Sequence, residues 1–348
     1  MLLVLAIGAG LWGLGSLVGA SRKARWTLII GLYILVVLIQ IALPQGNALR
    51  ELTGGTAAFW LILGGAIVVG MSYSMGLGAL RKRVQGDVTP ERPKSDVMGE
   101  VELERYARHI VLREIGGAGQ MRLRRARVLV VGAGGLGAPA LQYLAATGVG
   151  TIGVIDDDTV ENANLQRQVI HRDDTIGMPK VFSAEAAMRA LNPYVTVLPY
   201  HRRLDAGIAA DLMGEYDLVL DGSDSFETRQ LVNAVAVAQG KPLISGALSQ
   251  WEGQISVFDP AVEGPCYACV FPVEPEAGLA PSCAEAGVLG PLPGVIGAMM
   301  AVEAVKLIAG AGAPLRGQML IYDALWGETR KIAVKRRADC AVCGAGGG

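Results

Sequence analysis

The chain has 348 residues and a formal net charge of −1, with 51% hydrophobic and 18% charged residues. Near-neutrality offers no electrostatic case for nucleic acid, and the length leaves room for a membrane region of about 80 residues beside one large α/β core. The positive mean hydropathy, +0.39, comes largely from the N-terminal third.

No charged residue occurs in 1–21, 26–49 or 52–80, and each stretch is long enough to cross a bilayer of about 30 Å. Spans are expected at about 2–20, 26–43 and 57–80. A cleaved signal peptide would account for the first stretch alone, but that stretch lacks a basic leader and two further apolar runs follow it. A buried helical bundle fits poorly with glycine-rich runs that have no polar face. Arg22, Lys23 and Arg25 lie between the first and second spans, and Arg81, Lys82 and Arg83 follow the third. The loop between the second and third offers only Arg50 against Glu51. The excess of basic residues predicts a multi-pass protein of the inner, cytoplasmic membrane with its N-terminus outside and everything beyond residue 83 in the cytosol. The Arg-Lys-Arg cluster is thereby explained by topology. Residues 84–100, rich in Pro, Asp, Lys and Glu, read as a linker to a domain over 101–348.

In that domain, apolar runs at 128–131, 151–155, 195–199 and 218–220 alternate with helical stretches at 138–146, 180–191 and 206–213. The alternation predicts a Rossmann-like, doubly wound parallel sheet. Beyond Lys241 the pattern changes: runs at 243–245 and 254–258 flank an expected turn at Glu252-Gly253, and runs at 318–322 and 329–334 flank another. An antiparallel continuation of the sheet is expected. The helix at about 293–309 is apolar on one side, but Glu303 and Lys306 place it in the core rather than in a membrane.

The first strand runs into Gly-Ala-Gly-Gly-Leu-Gly, with glycines at Gly132, Gly134, Gly135 and Gly137, and Asp156 closes the next strand. A glycine-rich turn opening a helix brings backbone N–H groups and the positive helix end to a phosphate, and the acid suits a ribose hydroxyl. Alone this fingerprint would fit NAD or FAD. Asn164, Leu165, Gln166, Arg167 and Gln168 follow at once, adding cationic and amide groups for which a hydride-transfer site has little use and triphosphate chemistry has much. Lys180 lies on the same connection, and Asp224 just beyond the strand ending near Leu220, where ligands bind in open α/β sheets. Plainer readings stand beside these: Lys180 as a solvated residue after Pro179, and Asp224 as a helix N-cap. His109 and His171 are assigned no role.

Four of the five cysteines form Cys266-Tyr-Ala-Cys269 and Cys340-Ala-Val-Cys343. In a cytosolic domain, paired knuckles of this spacing suit a structural Zn²⁺ held by four thiolates with no open position for water. Inert or redox-active cysteines are the alternative. Cys283 stands apart, between turn residues and ahead of a helix, an accessible position near a helix N-terminus.

The motifs Arg105–Leu112, Gly132–Gly137, Asp156–Gln168, Gly177–Lys180, Asp221–Arg229, the two cysteine pairs and Cys283–Gly297 occur in one order. Over about 103–344 the chain resembles the MoeB/ThiF/HesA family, the bacterial relatives of ubiquitin-activating enzymes. The resemblance implies ATP- and Mg²⁺-dependent adenylation of the C-terminal glycine of a ubiquitin-like sulfur carrier ending in Gly-Gly. Within it, Asp156 would hold the ribose, Asn164, Arg167 and Lys180 the phosphates, and Asp224 the magnesium. Arg108 would reach into a partner subunit's site, implying a homodimer; a surface helix residue is the plainer reading. Cys283 matches a position at which some relatives form covalent links to the carrier. Ser225 replaces the family's usual Asn, and Ala163 its usual Ser, which puts two secondary nucleotide contacts in question. A separate sulfur donor is expected. A MoeB-like enzyme serving molybdopterin synthase ranks first and a ThiF-like enzyme of thiamine biosynthesis second. A tRNA threonylcarbamoyladenosine dehydratase relative and an NAD-binding Rossmann protein remain as alternatives.

Overall fold

The computed structural model describes residues 2–17, 22–54, 56–84, 97–259, 262, 264–274 and 287–344. The chain divides into two compact units, Met1–Val88 and Thr89–Gly348. The first unit is helical: α1 (Leu2–Leu17), α2 (Arg22–Ala42), the short α3 (Ala48–Thr53) and α4 (Ala57–Val84). Val4, Val36 and Trp60 form its small buried centre, and the Tyr33 hydroxyl donates to the Trp60 carbonyl at 2.5 Å. Arg50, the lone cation of the α2–α4 connection, folds back on α2: it donates to Gln40 Oε1 at 3.2 Å and to the Leu43 carbonyl at 2.9 Å. That satisfies one of the carbonyls which a helix C-terminus otherwise leaves open. Within α2, Ala24–Ala42 is long and apolar enough to cross a membrane, with a mean hydropathy of 2.0 and 11% burial.

The second unit opens with α5 (Glu100–Ile110) and α6 (Gly116–Arg125) and then alternates. β1 (Arg127–Val131), α7 (Gly137–Thr147), β2 (Thr151–Ile155), α8 (Lys180–Leu191), β3 (Thr196–Tyr200), α9 (Ala209–Gly214), β4 (Leu218–Asp221), α10 (Phe226–Gln239) and β5 (Leu243–Leu248) make the parallel half. β6 (Glu252–Phe258), α11 (Tyr267–Val270), α12 (Pro291–Ala309), β7 (Gln318–Asp323) and β8 (Glu328–Ala333) complete it. The eight strands lie in the order β3-β2-β1-β4-β5-β6-β7-β8, parallel through β5 and antiparallel beyond. β3, which contains Pro199, and β8, exposed along all six residues, are the edges.

Both faces of the parallel half are buried, which is why its strands are continuously apolar. Along β1, Val128 and Val130 face α7, α8 and α12, whereas Leu129 and Val131 face α9, α10 and α11. α12 passes the same length-and-hydropathy test as α2, yet half of it is buried and Leu292, Ile296, Met300 and Ala304 belong to the core. Its place in the core follows the expectation from Glu303 and Lys306. Those two pair at 2.5 Å, and Glu303 also accepts the Leu315 N–H at 2.9 Å.

One turn was misplaced by sequence reasoning. Glu252 and Gly253 are the first residues of β6, and the connection falls at Ser249–Trp251. Gly253 serves packing rather than turning, because a Cβ there would strike Ile296 of α12. The linker expected over 84–100 lies mostly outside the described residues.

Candidate functional site

The carboxyl ends of β1, β2 and β4 open into a cleft of about 550 Å³. β1 enters it through Gly132, whose φ of +94° only glycine adopts without strain. At Gly137, the first residue of α7, a Cβ would lie 2.8 Å from the Gly132 carbonyl carbon and closer still to its oxygen. The spacing of the glycines thus records how tightly strand and helix are folded against each other. Gly132, Gly134 and Gly135 line the cleft with Asp156, Arg167, Lys180, Asp224 and Ser225.

Asp156 holds the glycine loop. Its Oδ2 accepts the Ala133 N–H at 2.7 Å and its Oδ1 the Asp158 N–H at 2.8 Å. Burial holds its carboxyl above the ordinary carboxylate range, opposed by these backbone donors and by Lys180. Each oxygen keeps a second lone pair, so a ribose hydroxyl can still be accommodated. Lys180 is buried, not solvated: only 5% of it is exposed, and its ammonium lies 2.7 Å from Asp158 Oδ2. The Arg167 guanidinium donates to Asn164 Oδ1 at 3.1 Å, so Asn164 aims the arginine. Leu165 and Gln166 do not line the cleft; Gln166 packs where a side chain on Gly290 would go.

The capping reading of Asp224 is removed by its neighbour. Ser225 is the N-cap of α10 and accepts the Thr228 N–H at 3.3 Å, which leaves the exposed Asp224 carboxylate at the cleft. The loop carrying it is tied down by Arg229, which donates to the Ser223 carbonyl, to the Gly246 carbonyl at 2.8 Å and to Ser245 Oγ at 3.1 Å. Asp221 Oδ1 accepts from both the N–H and the hydroxyl of Ser223, at 3.0 and 2.6 Å. Its buried Oδ2 has no protein partner among the described residues.

Arg108 is not in this cleft. It is exposed on α5, two residues after Tyr106, whose ring closes on Gly148 at the far end of α7. The length of α7 therefore separates it from the glycine loop, about 16 Å at 1.5 Å per residue. Cys283 lies outside the described residues.

Gln168, one of the amides expected beside the nucleotide, lines the cleft and presents a buried Oε1 without a protein partner among the described residues. Other site residues were not foreseen: Arg202 and Arg203 add cations to the wall beyond β3. His171 and Arg229 support the loops from beneath. Arg202 and Arg203 were foreshadowed only by their position after a strand, and nothing in the sequence singled out His171 or Arg229.

The cysteines gather away from the cleft, beside α10. Sγ–Sγ separations are 3.9 Å for Cys266–Cys269, 3.7 Å for Cys266–Cys340 and 3.4 Å for Cys269–Cys343. A tetrahedron with metal–sulfur bonds of about 2.3 Å has edges of about 3.8 Å, so the arrangement fits one four-coordinate ion. Asn233 Nδ2 and the Arg337 N–H approach Cys266 and Cys269 at 3.6 and 3.4 Å, as donors supporting thiolates do.

The ThiF family pattern matches residues 106–342. The chain belongs to the ThiF family. It is 51% identical over 247 residues to the sulfur carrier protein adenylyltransferase of Thermus thermophilus, covering 70% of this chain and 91% of that one. It is 50% identical over 246 residues to the SAMP-activating enzyme E1 of Haloferax volcanii, covering 71% and 90%. Pig (Sus scrofa) adenylyltransferase and sulfurtransferase MOCS3 is 48% identical over 258 residues, which make up 74% of this chain and 56% of that longer protein. Among solved structures, E. coli MccB with ATP superposes with a TM-score of 0.60 at 24% identity, covering 71% of this chain and 76% of that one. At that identity it speaks for the ThiF fold alone.

Proposed function

We propose that this ThiF-family protein is a membrane-tethered, ATP-dependent adenylyltransferase acting on the C-terminal carboxylate of a ubiquitin-like sulfur carrier. The observation that carries the reading is the convergence of the glycine loop, Arg167, Lys180 and Asp224 on one cleft at the carboxyl ends of the parallel strands. The names of the relatives point to the same substrate class.

A terminal carboxylate, with a pKa near 3.5, is already ionised at neutral pH, and attack on the α-phosphate needs no general base. Its oxygen bonds to that phosphorus as the bond to the bridging oxygen breaks, and pyrophosphate leaves. The obstacle is repulsion between anions, and preorganised positive charge lowers it. Arg167, held by Asn164, and Lys180, held by Asp158, supply that charge. Asp224 suits Mg²⁺, which commonly binds through one or two carboxylates together with substrate phosphates and there neutralises developing charge. Arg108, remote from its own cleft, is assigned to the cleft of a second copy, making the working unit a homodimer. The four cysteines are assigned a structural Zn²⁺ that clamps the C-terminal segment to α10 and α11. A separate protein supplies sulfur once the acyl-adenylate exists.

The first unit is assigned to the inner membrane, with the enzyme in the cytosol. Ile30, Ile34, Leu35, Leu38 and Ile41 are exposed along α2, a poor arrangement in water and a good one in lipid. Arg25 lies 5.2 Å over the Trp12 ring, and Trp12 packs edge-on against Trp26, an aromatic and basic cluster at the end proposed to face the cytosol.

ATP–pyrophosphate exchange with candidate Gly-Gly carriers tests the reading, a molybdopterin-synthase carrier first and a thiamine-pathway carrier second. Arg167→Ala and Asp224→Ala should each lower exchange by about two to three orders of magnitude with the fold intact. Mixed Arg108→Ala and Asp224→Ala subunits should regain activity, because one of the two mixed sites has both an intact cleft and an intact partner arginine. Exchange at the parental rate in either cleft variant would refute the site, and no recovery after verified subunit exchange would refute the action of Arg108 across the dimer.

A further inference from the structure

His171 is 5% exposed and lies beneath the cleft, between three segments that line it. Its Nε2 is 2.9 Å from the carbonyl oxygen of Ala133 in the glycine loop. Its Nδ1 is 2.9 Å from Ser183 Oγ, on the first turn of α8 just after Lys180. Its own N–H donates to the Gln168 carbonyl at 3.0 Å, at the end of the segment carrying Arg167. A carbonyl only accepts, so Nε2 carries the proton. At Nδ1 the neutral ring shares the Ser183 hydroxyl with Thr175 Oγ1, which lies 3.1 Å from the same oxygen.

The consequence concerns the next peptide. In a trans peptide the carbonyl and the following N–H point in opposite directions. With the Ala133 carbonyl drawn down onto His171, the Gly134 N–H is turned up toward the cleft that Gly134 lines. No hydrogen bond occupies that N–H among the described residues. The preceding peptide is fixed as well, because Asp156 takes the Ala133 N–H at 2.7 Å. Ala133 is thus clamped from both sides.

We infer that His171 is a positioning residue for nucleotide phosphates: by holding the Ala133 carbonyl from beneath, it aims the Gly134 N–H at a phosphate oxygen in the cleft. The inference rests on the adenylation reading and deepens it. His171 touches no substrate. Its effect should therefore fall on ligands that carry phosphate and spare the nucleoside.

The test is calorimetric titration of the full-length protein with ATP and with adenosine, together with exchange kinetics at varied ATP. His171→Phe fills the space without a donor, and His171→Gln keeps an N–H for Ala133 and an oxygen for Ser183. His171→Phe should weaken ATP binding about tenfold, the usual worth of one hydrogen bond to a charged group. Adenosine affinity should hold, and the KM for ATP should rise more than kcat falls. His171→Gln should recover most of the ATP affinity. Ser183→Ala, which frees Nδ1 and lets the ring turn, should give a smaller loss of the same kind and decides the matter if His171→Phe does not fold. Equal losses for ATP and adenosine, or a Gln variant as impaired as Phe, would overturn the inference. A parent protein that fails to bind ATP at all would overturn the adenylation reading with it, a result distinct from either.

Discussion

Two glycines of one motif should fail in different ways when replaced by alanine. At Gly137 the new methyl would lie 2.8 Å from the Gly132 carbonyl carbon and closer to its oxygen, and both are backbone atoms that no rotamer change can move aside. Relief requires the end of β1 or the start of α7 to shift by about 1 Å. Forced backbone movement in a packed core costs up to about 3 kcal/mol, or roughly 6–12 °C of melting temperature for a unit of this size. At Gly134 the methyl would meet only Gln168 Nε2, at 3.6 Å, an ordinary contact. Stability should hold there, or rise slightly as the unfolded chain loses freedom. The methyl would nevertheless stand among the cleft-lining atoms, and ATP affinity should drop about tenfold or more as that methyl holds a phosphate away from the backbone N–H that alanine still carries. Thermal melting beside ATP–pyrophosphate exchange separates the two outcomes. A Gly137→Ala protein melting with the parent would refute the close approach of strand and helix. A stable Gly134→Ala protein with parental exchange would show that the nucleotide does not lie on this loop.

Cys340→Ser should remove the metal, measured as zinc per chain. It should also lower stability by about 4 kcal/mol, the loop-closure value for a cross-link between residues 74 apart such as Cys266 and Cys340; undiminished zinc would dismiss the four-thiolate site. His171 should make stability acid-sensitive. Burial holds its folded-state pKa below the usual imidazole value, so as pH falls through about 6.5 the unfolded chain takes up a proton that the folded chain does not, and stability falls. The melting temperature of His171→Gln should decline less over that range, and identical pH profiles would refute the buried neutral ring. Finally, a chain beginning at Gly86 should remain soluble and active, whereas the C-terminal unit of the full chain should resist protease added outside intact cells. Digestion from outside would sink both the orientation and the use of cytosolic ATP.

Local sequence gave away what local forces decide. The parallel strands were legible because both faces of that half-sheet are buried, leaving near-continuous runs of Val, Ile and Leu, and β2 and α8 begin and end where the sequence predicted. Gly253 was read as a turn because a glycine between apolar runs usually makes one, but the approach of Ile296 is set by a helix more than forty residues later. The glycines, Asp156, Arg167, Lys180 and Asp224 were read from the sequence as a candidate nucleotide site, and the structure brings Gly132, Gly134, Gly135 and those four side chains to one cleft. The partners that hold them were not. Asp158 beside Lys180, Arg229 under the Asp224 loop and His171 under Ala133 acquire their roles only through folding, the last from 38 residues away in the chain. Nothing in the spacing of a lone histidine distinguishes a clamp from a solvated side chain.

The two edges of the eight-stranded sheet have a consequence for how copies of this protein coexist. An edge strand offers unpaired N–H and carbonyl groups to any other extended chain, and a tether that confined many copies to one membrane surface would raise the rate of such encounters. On β3, Pro199 removes one donor, a substitution that a central strand would not tolerate. On β8, Glu328, Arg330 and Lys331 stand exposed along the strand, so a second β8 laid alongside would bring charges into contact before its backbone could pair. Each edge thus carries its own deterrent against fibril-like growth, and neutralising the charges of β8 should show first as lost solubility rather than as lost catalysis.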